Sequence, residues 1–419
     1  MLNLCTIIFS GFNYNFFDMK IIISTILMLF LGIPLLAQVD GFPVSLGTGD
    51  EPLWGAPAIV KTDSASFIAI GSTDDSLYLI NTNGSFVDGF PIALSGHITS
   101  KVAWEPCDSG ILIFVLSENG ILTKIMWDGT TAAVEWTITL GENSRYISPV
   151  LGEDDDGNLE IFSAVDTTLF CCSSDGDVLW SADFSSSTGS AVATPSCGDI
   201  DGDGEDEIIV EGYEKIFAFN PDGSPVDGFP LELVDAAFSY SSPFLWDCDD
   251  DGAMEIFCGA HQITGGEYGV VYRIDADEPS LDSPIFTITG AYGTWLYSSP
   301  AIGDVNGDYS YDITFGSING TVFSIDGSGA LVSFGGVALH MSYGHIYGGI
   351  MLCDIDNSAG PEFIFQMSQE SDELAYLIAM DPGALYPENF PDTMAESDAG
   401  ILSPAVFEDD SSTKIVAAT

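Results

Sequence analysis

The chain has 419 residues, with 63 Asp and Glu against 8 Lys and Arg, and a formal net charge of −55 at pH 7. A surface of that sign repels nucleic acid and anionic membranes, whose binding depends on Lys and Arg contacts, so both partner classes are excluded. Neutral or cationic partners stay open, and salty surroundings would relax the self-repulsion.

Residues 1–18 read as an upstream extension that does not belong to the native protein, and Met19 is the expected start. From there Lys20, the apolar run Ile21 to Leu36 and the small residue Ala37 follow the pattern of a secretory signal peptide, assigned to residues 19–37. The rival reading is a membrane anchor, but the run is shorter than the roughly 20 residues of a spanning helix. No later stretch reads as membrane-spanning. Residues 38–419 then form one exported repeat domain, secreted or held at the cell surface.

Apolar strand openings recur at Ala56-Pro57, Lys101-Val102, Ser148-Pro149, Thr194-Pro195, Ser242-Pro243, Ser299-Pro300, Gly349-Ile350 and Ser403-Pro404. Their spacing is room for four short strands and their turns. Within a unit, strand patterns such as Glu207 to Glu211 and Lys215 to Phe219 are bounded by Gly, Asn and Asp, and a VDGFP element closes the unit at Val87 to Pro91 and Val226 to Pro230. One such sheet cannot bury both faces, so stacking around a ring is the expected solution: an all-β propeller of about seven to eight four-stranded blades, with a solenoid as the alternative.

The two ends suggest how the ring closes. Val39 to Leu46 copies the fourth element with no strands before it, and Ser403 to Thr419 copies the first two elements with nothing after them. Pairing of the N- and C-terminal strands in one blade would remove exposed sheet edges. The other reading is that the natural chain continues beyond Thr419.

Between the first two strands of several units lies an acidic loop. DIDGDGEDE places Asp199, Asp201, Asp203 and Glu207 at positions 1, 3, 5 and 9; DCDDDGAME places Asp247, Asp249, Asp251 and Glu255 there. DVNGDYSYD does so with Asp304, Asn306, Asp308 and Asp312, and DIDNSAGPE with Asp354, Asp356, Ser358 and Glu362. A fifth, less complete copy starts at Gly152 and carries Asp154, Asp156 and Glu160. Alternate side chains at 1, 3 and 5 with a carboxylate at 9 can converge on one cation if the chain turns sharply. Calcium takes six to eight oxygen ligands at about 2.3–2.6 Å and tolerates such a flexible loop better than magnesium does. A solvated acidic turn is the plain alternative, since Asp and Gly are ordinary turn formers. The loop is not a helix-loop-helix hand, because Glu207 runs straight into the strand residues Ile208, Ile209 and Val210.

These loops, above all Gly198 to Gly204 and Gly303 to Asp308 with their Pro-containing openings, resemble the integrin-alpha-like FG-GAP family of β-propeller repeats, here of the secreted bacterial type. The resemblance implies a propeller in which the acidic loop joins two blade strands and binds calcium, through Asp199, Asp201, Asp203 and Glu207 and through Asp304, Asn306, Asp308 and Asp312. The first two repeats depart from the pattern at Lys61 to Asp63 and Glu105 to Asp108, so no metal is expected there. Several structural Ca2+ ions are the only cofactor expected.

Seven cysteines remain after Cys5, an odd number set mostly in apolar strands, so buried thiols and a Cys248–Cys258 bridge are both open. Catalysis is not indicated. A polysaccharide lyase of this architecture needs a base and a cation to neutralise a uronate, and the mature chain is poor in both; a glycosidase pair cannot be picked from so many carboxylates. His340 and His345 are open to a transition metal or a channel wall, or to plain solvated and strand-capping roles. Aromatic residues near the openings, Trp54, Trp104, Trp246, Trp295, Tyr146, Tyr240, Tyr292 and Tyr297, are read either as wedges between blades or as a rim that stacks on a sugar or a protein loop. The expected function is a calcium-binding, non-catalytic binding or adhesion domain whose ligand is a protein or a neutral or cationic glycan. The alternative is a structural part of a larger surface assembly.

Overall fold

The computed structural model describes residues 2–3, 42, 44–47, 55–62, 64–154, 156–185, 193–263, 268–288, 295–333, 336, 338–341, 344–355, 360–369, 374–381, 392–396, 403–409 and 412–417. The expected signal segment, Trp54, Tyr292, Asp356 and Ser358 lie outside these residues.

Among the described residues the strands form seven antiparallel sheets of four or five strands and two further two-stranded pairs. Sheet 1 comprises Ala58–Lys61, Ser66–Gly71, Ser76–Asn81 and Ile92–Ala93; sheet 2 comprises Ala103–Cys107, Gly110–Leu116, Ile121–Trp127 and Ala132–Thr139. Sheet 3 is built from Val150–Glu153, Leu159–Val165, Thr168–Ser173 and Val178–Asp183, and sheet 4 from Ser196–Gly198, Glu207–Glu211, Lys215–Phe219 and Leu231–Glu232. Sheet 5 opens with Ala236–Phe238 and Phe244–Trp246, both paired to Glu255–Gln262, and continues through Gly269–Ile274 and Phe286–Thr287. Sheet 6 holds Ala301–Gly303, Asp312–Gly316, Thr321–Ile325 and Leu339–His340. Sheet 7 repeats the split opening, with Gly344–His345 and Met351–Cys353 on Glu362–Gln369, then Leu374–Met380 and Asp392–Glu396. This is a seven-bladed β-propeller, as the repeat period implies.

Position within a blade explains the composition of each strand. Second strands are covered on both faces by neighbouring sheets and so read as nearly continuous apolar runs: every residue of Glu207–Glu211 and of Asp312–Gly316 is buried. Outer strands are half in water, and Ala132–Thr139 is only partly covered along its length. The core lies between the blades. Phe114 of sheet 2, Ile161 of sheet 3 and Ile208 of sheet 4 belong to one buried cluster, and Phe257 of sheet 5 joins Phe315 and Phe323 of sheet 6 in another.

Polar contacts at fixed places tie the blades together. The hydroxyl before the opening proline bonds to the same place on a neighbouring blade: Ser148 Oγ accepts the Lys101 N–H at 3.0 Å and Thr194 Oγ1 accepts the Ser148 N–H at 3.0 Å, while Ser196 Oγ donates to the Pro243 carbonyl. Near the outer edge, Trp136 Nε1 donates to the Ser174 carbonyl at 3.0 Å and Trp180 Nε1 to the Pro221 carbonyl at 2.7 Å. Gly223 lets the ring approach, since its φ of 82° is left-handed and a Cβ there would stand 2.8 Å from the Trp180 indole.

The C-terminal hairpin Ala405–Asp409 and Ser412–Val416 sits between sheets 7 and 1. Val406, Ile415 and Ala417 pack with Ile364 and Ala379 of sheet 7, and Val416 packs with Ile68 and Ile70 of sheet 1. Val44 and Leu46 join that second cluster. The expected strand pairing between the ends is not among the described pairs: Ser45–Leu46 pairs with Leu2–Asn3. No helix among the described residues is long and apolar enough to cross a membrane.

Candidate metal loops and an aromatic ring at opposite rims

Each acidic loop follows an innermost strand, and its turns are set by backbone sterics. Position 4 is left-handed at Gly202 (φ 73°), Gly307 (φ 78°) and Asp250 (φ 61°), and position 6 at Gly204, Gly252 and Tyr309. The reversals aim successive N–H groups at the first carboxylate. Asp199 accepts from Gly202 N–H at 2.6 Å and Gly204 N–H at 3.0 Å; Asp247 accepts from Asp251 and Gly252, both at 3.1 Å; Asp304 accepts from Gly307 at 2.7 Å and Tyr309 at 3.0 Å.

Carboxylate oxygens of Asp199, Asp201 and Asp203 all lie within 4.8 Å of one another, and so do those of Asp247, Asp249 and Asp251. The first cluster is open to a divalent ion, whereas in the second Arg273 Nη2 lies 2.7 Å from Asp249 Oδ2. In the third loop Asn306 Nδ2 donates to Asp308 Oδ2 at 3.0 Å. Of the fourth loop, Asp354 and Glu362 are described.

The ninth carboxylate has a shared role that its spacing alone does not reveal. It turns inward and accepts the N–H of position 2: Ile200 to Glu207 at 3.0 Å, Cys248 to Glu255 at 2.9 Å, Val305 to Asp312 at 3.0 Å and Ile355 to Glu362 at 2.7 Å. All four are buried. Burial pushes Glu207 up to about 7, opposed by the Ile200 N–H and reinforced by Asp201, Asp203 and Asp199. Burial likewise pushes Asp312 up to about 6, and its Oδ1 is buried without a hydrogen-bond partner. An all-oxygen donor set above a buried, electron-rich carboxylate fits a hard divalent cation.

The loop in sheet 3 is completed differently. Asp154 accepts from Asn158 Nδ2 at 2.9 Å and from Asp156 N–H at 3.0 Å, which holds its carboxyl below the usual range. His340 and His345 join no metal-ligating group among the described residues: His340 Nδ1 lies 3.3 Å from Thr321 Oγ1, and His345 Nδ1 bonds to the Ile318 carbonyl. Cys107, Cys171, Cys172, Cys197, Cys248 and Cys258 are free thiols, so no bridge joins Cys248 to Cys258. Burial pushes Cys172, Cys197 and Cys248 up to about 12, so they stay protonated.

At the other end of the innermost strands stands an aromatic ring. Tyr146, Tyr240, Tyr297 and Tyr347 each lie four residues before the strands opening at Val150, Phe244, Ala301 and Met351. Equivalent positions on successive blades are neighbours around the axis. Tyr240 stacks on Tyr297 at 4.8 Å between ring centroids, and Tyr297 meets Tyr347 edge-on at 5.7 Å. Trp295 continues the stack behind Tyr297 at 5.7 Å and lies on His261 at 3.8 Å. The Arg145 guanidinium is 5.0 Å from the Tyr146 ring centre, within cation–π range. Burial pushes Tyr297 up to about 12, with the Tyr240, Tyr347 and Tyr213 hydroxyls acting the same way. Tyr240 stays 45% exposed at the surface of this group.

The other aromatics serve the interior. Trp104 and Trp246 pack against buried clusters between blades, Trp246 stacking on Phe257 at 5.7 Å. His261, Tyr347 and the buried Glu211 were not singled out from the sequence. Tyr347 had a signal, the same offset from its strand as Tyr240 and Tyr297.

No protein-family model matches the chain, and no curated protein does either. Among solved structures it is similar to Saccharomyces cerevisiae Sqt1, at 11% identity over 90% of this chain and 96% of that one, with a TM-score of 0.58. It is also similar to the Dos1 propeller, at 15% identity over 87% and 90% of the two chains, with a TM-score of 0.53. At such identities the likeness shows the fold: the chain is a β-propeller protein carrying two clusters of three aspartates, one of them already paired with an arginine.

Proposed function

We propose that this chain is an exported β-propeller, fastened by calcium, that acts as a non-catalytic binding or adhesion scaffold within a larger surface assembly. The observation that carries the binding reading is the stacked group Tyr240, Tyr297 and Tyr347, a partly exposed aromatic surface built from equivalent positions of three blades. Aromatic faces of this kind bury large area at low conformational cost and suit a neutral glycan or a protein loop. Calcium as the ion is supported by the oxygen-only donor sets and by the resemblance of the loops to FG-GAP repeats; residues 19–37 support export.

The innermost strand separates the two features. Tyr240 precedes the strand Phe244–Trp246 and Asp247 follows it, so the loop stands at the end of that strand away from the aromatic group. Calcium then stiffens the blades and does not touch the ligand. An enzymatic reading finds little support in the cations, several of which are engaged by the protein's own carboxylates: Lys124 by Glu135, Arg145 by Glu118 and Arg273 by Asp249.

The test is a screen of neutral glycans and candidate surface proteins on wild type and on Tyr240→Ala and Tyr297→Ala. Binding lost in both variants with unchanged melting supports the proposal. Binding that survives both, or turnover of a glycan, overturns it.

A further inference from the structure

We infer that Arg273 is the resident cation of the Asp247–Glu255 loop and makes that fastening independent of metal, whereas the Asp199–Glu207 and Asp304–Asp312 loops depend on a bound divalent ion. The contrast rests on the calcium reading of those two loops.

Arg273 Nη2 lies 2.7 Å from Asp249 Oδ2 and 3.3 Å from Glu255 Oε1. One guanidinium thus spans the third and ninth positions of the loop. The guanidinium is always charged, and a single nitrogen, Nη2, faces both carboxylates. A cation taking Asp249 as a ligand would sit about 2.3–2.6 Å from its oxygen, against the guanidinium already there.

Register shows that this is a peculiarity of one blade. Arg273 pairs with Phe257, two residues after the ninth position. The residues at the same place are Ala218 opposite Ile209 in sheet 4, Ser324 opposite Thr314 in sheet 6 and Ala379 opposite Ile364 in sheet 7. Ala218 and Ala379 are too short to reach the ninth carboxylate, and Ser324 Oγ is 2.7 Å from Thr314 Oγ1. In sheet 6 the consequence is visible, because Asp312 Oδ1 is left buried without a partner. The unmatched oxygen marks a place that Arg273 fills in sheet 5 and that an ion would fill in sheet 6.

The experiment is hydrogen exchange by mass spectrometry on residues 38–419, in calcium and after chelation, for wild type, Arg273→Ala and Arg273→Gln, with bound calcium counted by equilibrium dialysis. In wild type, chelation should speed exchange in the Asp199–Glu207 and Asp304–Asp312 loops by about tenfold and leave the Asp247–Glu255 loop unchanged. Arg273→Ala should make the Asp247 loop sensitive to chelation and add one calcium per chain; Arg273→Gln, which keeps the stem but not the charge, should do the same. Equal sensitivity of all three loops in wild type overturns the inference, as does an Asp247 loop that neither variant changes. If the Asp199 loop ignores chelation, the calcium reading fails. The role of Arg273 as resident cation then stands only if both variants speed exchange at the Asp247 loop without metal.

Discussion

Ser403 Oγ accepts a 2.6 Å hydrogen bond from the backbone N–H of Gly349, 54 residues earlier. The bond repeats, in the C-terminal hairpin, the relation of Ser148 to Lys101 and of Thr194 to Ser148. The hairpin is therefore seated by the same device that joins complete blades. Ser403→Ala should cost about 1 kcal/mol and should raise exchange in Ala405–Val416 before the rest of the domain. Urea melting with hydrogen exchange checks both; uniform loss across all blades would contradict local seating.

Trp180 joins sheet 3 to sheet 4 through its indole bond to Pro221 and its packing in the cluster around Phe162. Trp180→Ala should destabilise by about 3 kcal/mol, and Trp180→Phe by less, since a phenyl ring still fills part of the indole's place while the N–H bond and the remaining ring volume are lost. Gly223→Val should approach the alanine variant, because the ring and the left-handed backbone both oppose a side chain there. Denaturant midpoints of the three variants give the order.

Removing divalent cations should lower the melting temperature through the Asp199 loop. Asp203→Ala should lower the calcium-dependent part of the melting shift and leave the chelated protein almost unchanged, because it deletes a candidate ligand at an exposed position. Scanning calorimetry with and without calcium separates the two contributions.

The pH dependence has two limbs of opposite sign. Burial lowers His261 from 6.5 to about 4, so its neutral form is favoured by folding. The stability it contributes is present above pH 6.5 and is lost as pH falls through 4. Glu207 is raised from 4.5 to about 7, so in chelator its contribution is present below pH 4.5 and is lost as pH rises through 7. Calcium should abolish the second limb and leave the first. Urea titrations from pH 4 to 8 in chelator and in calcium test the pair, with His261→Gln expected to flatten the acid limb.

Much of the architecture was legible because the relevant chemistry is local. Left-handed turns at Gly202 and Gly307 and buried runs such as Ile208 to Val210 are signalled by neighbours in sequence. The same locality exposed positions 1, 3 and 5 of the loops. It did not show that the ninth carboxylate faces inward onto the second N–H, because that depends on how the loop lies over its hairpin. Nor did it separate Trp246, a wedge between blades, from Tyr240, a member of the exposed ring, since both flank the same strand opening and differ in which face of the ring they meet.

From the sequence alone came the repeated four-strand unit, the all-β class, the strongly acidic surface and the candidate loops, since turn chemistry and strand alternation act over a few residues. Tertiary structure decided which of the equivalent loops keeps its own cation and which tyrosines stack. Arg273 reaches Asp249 across 24 residues and Tyr297 meets Tyr240 from another blade, and such contacts follow from register and ring packing.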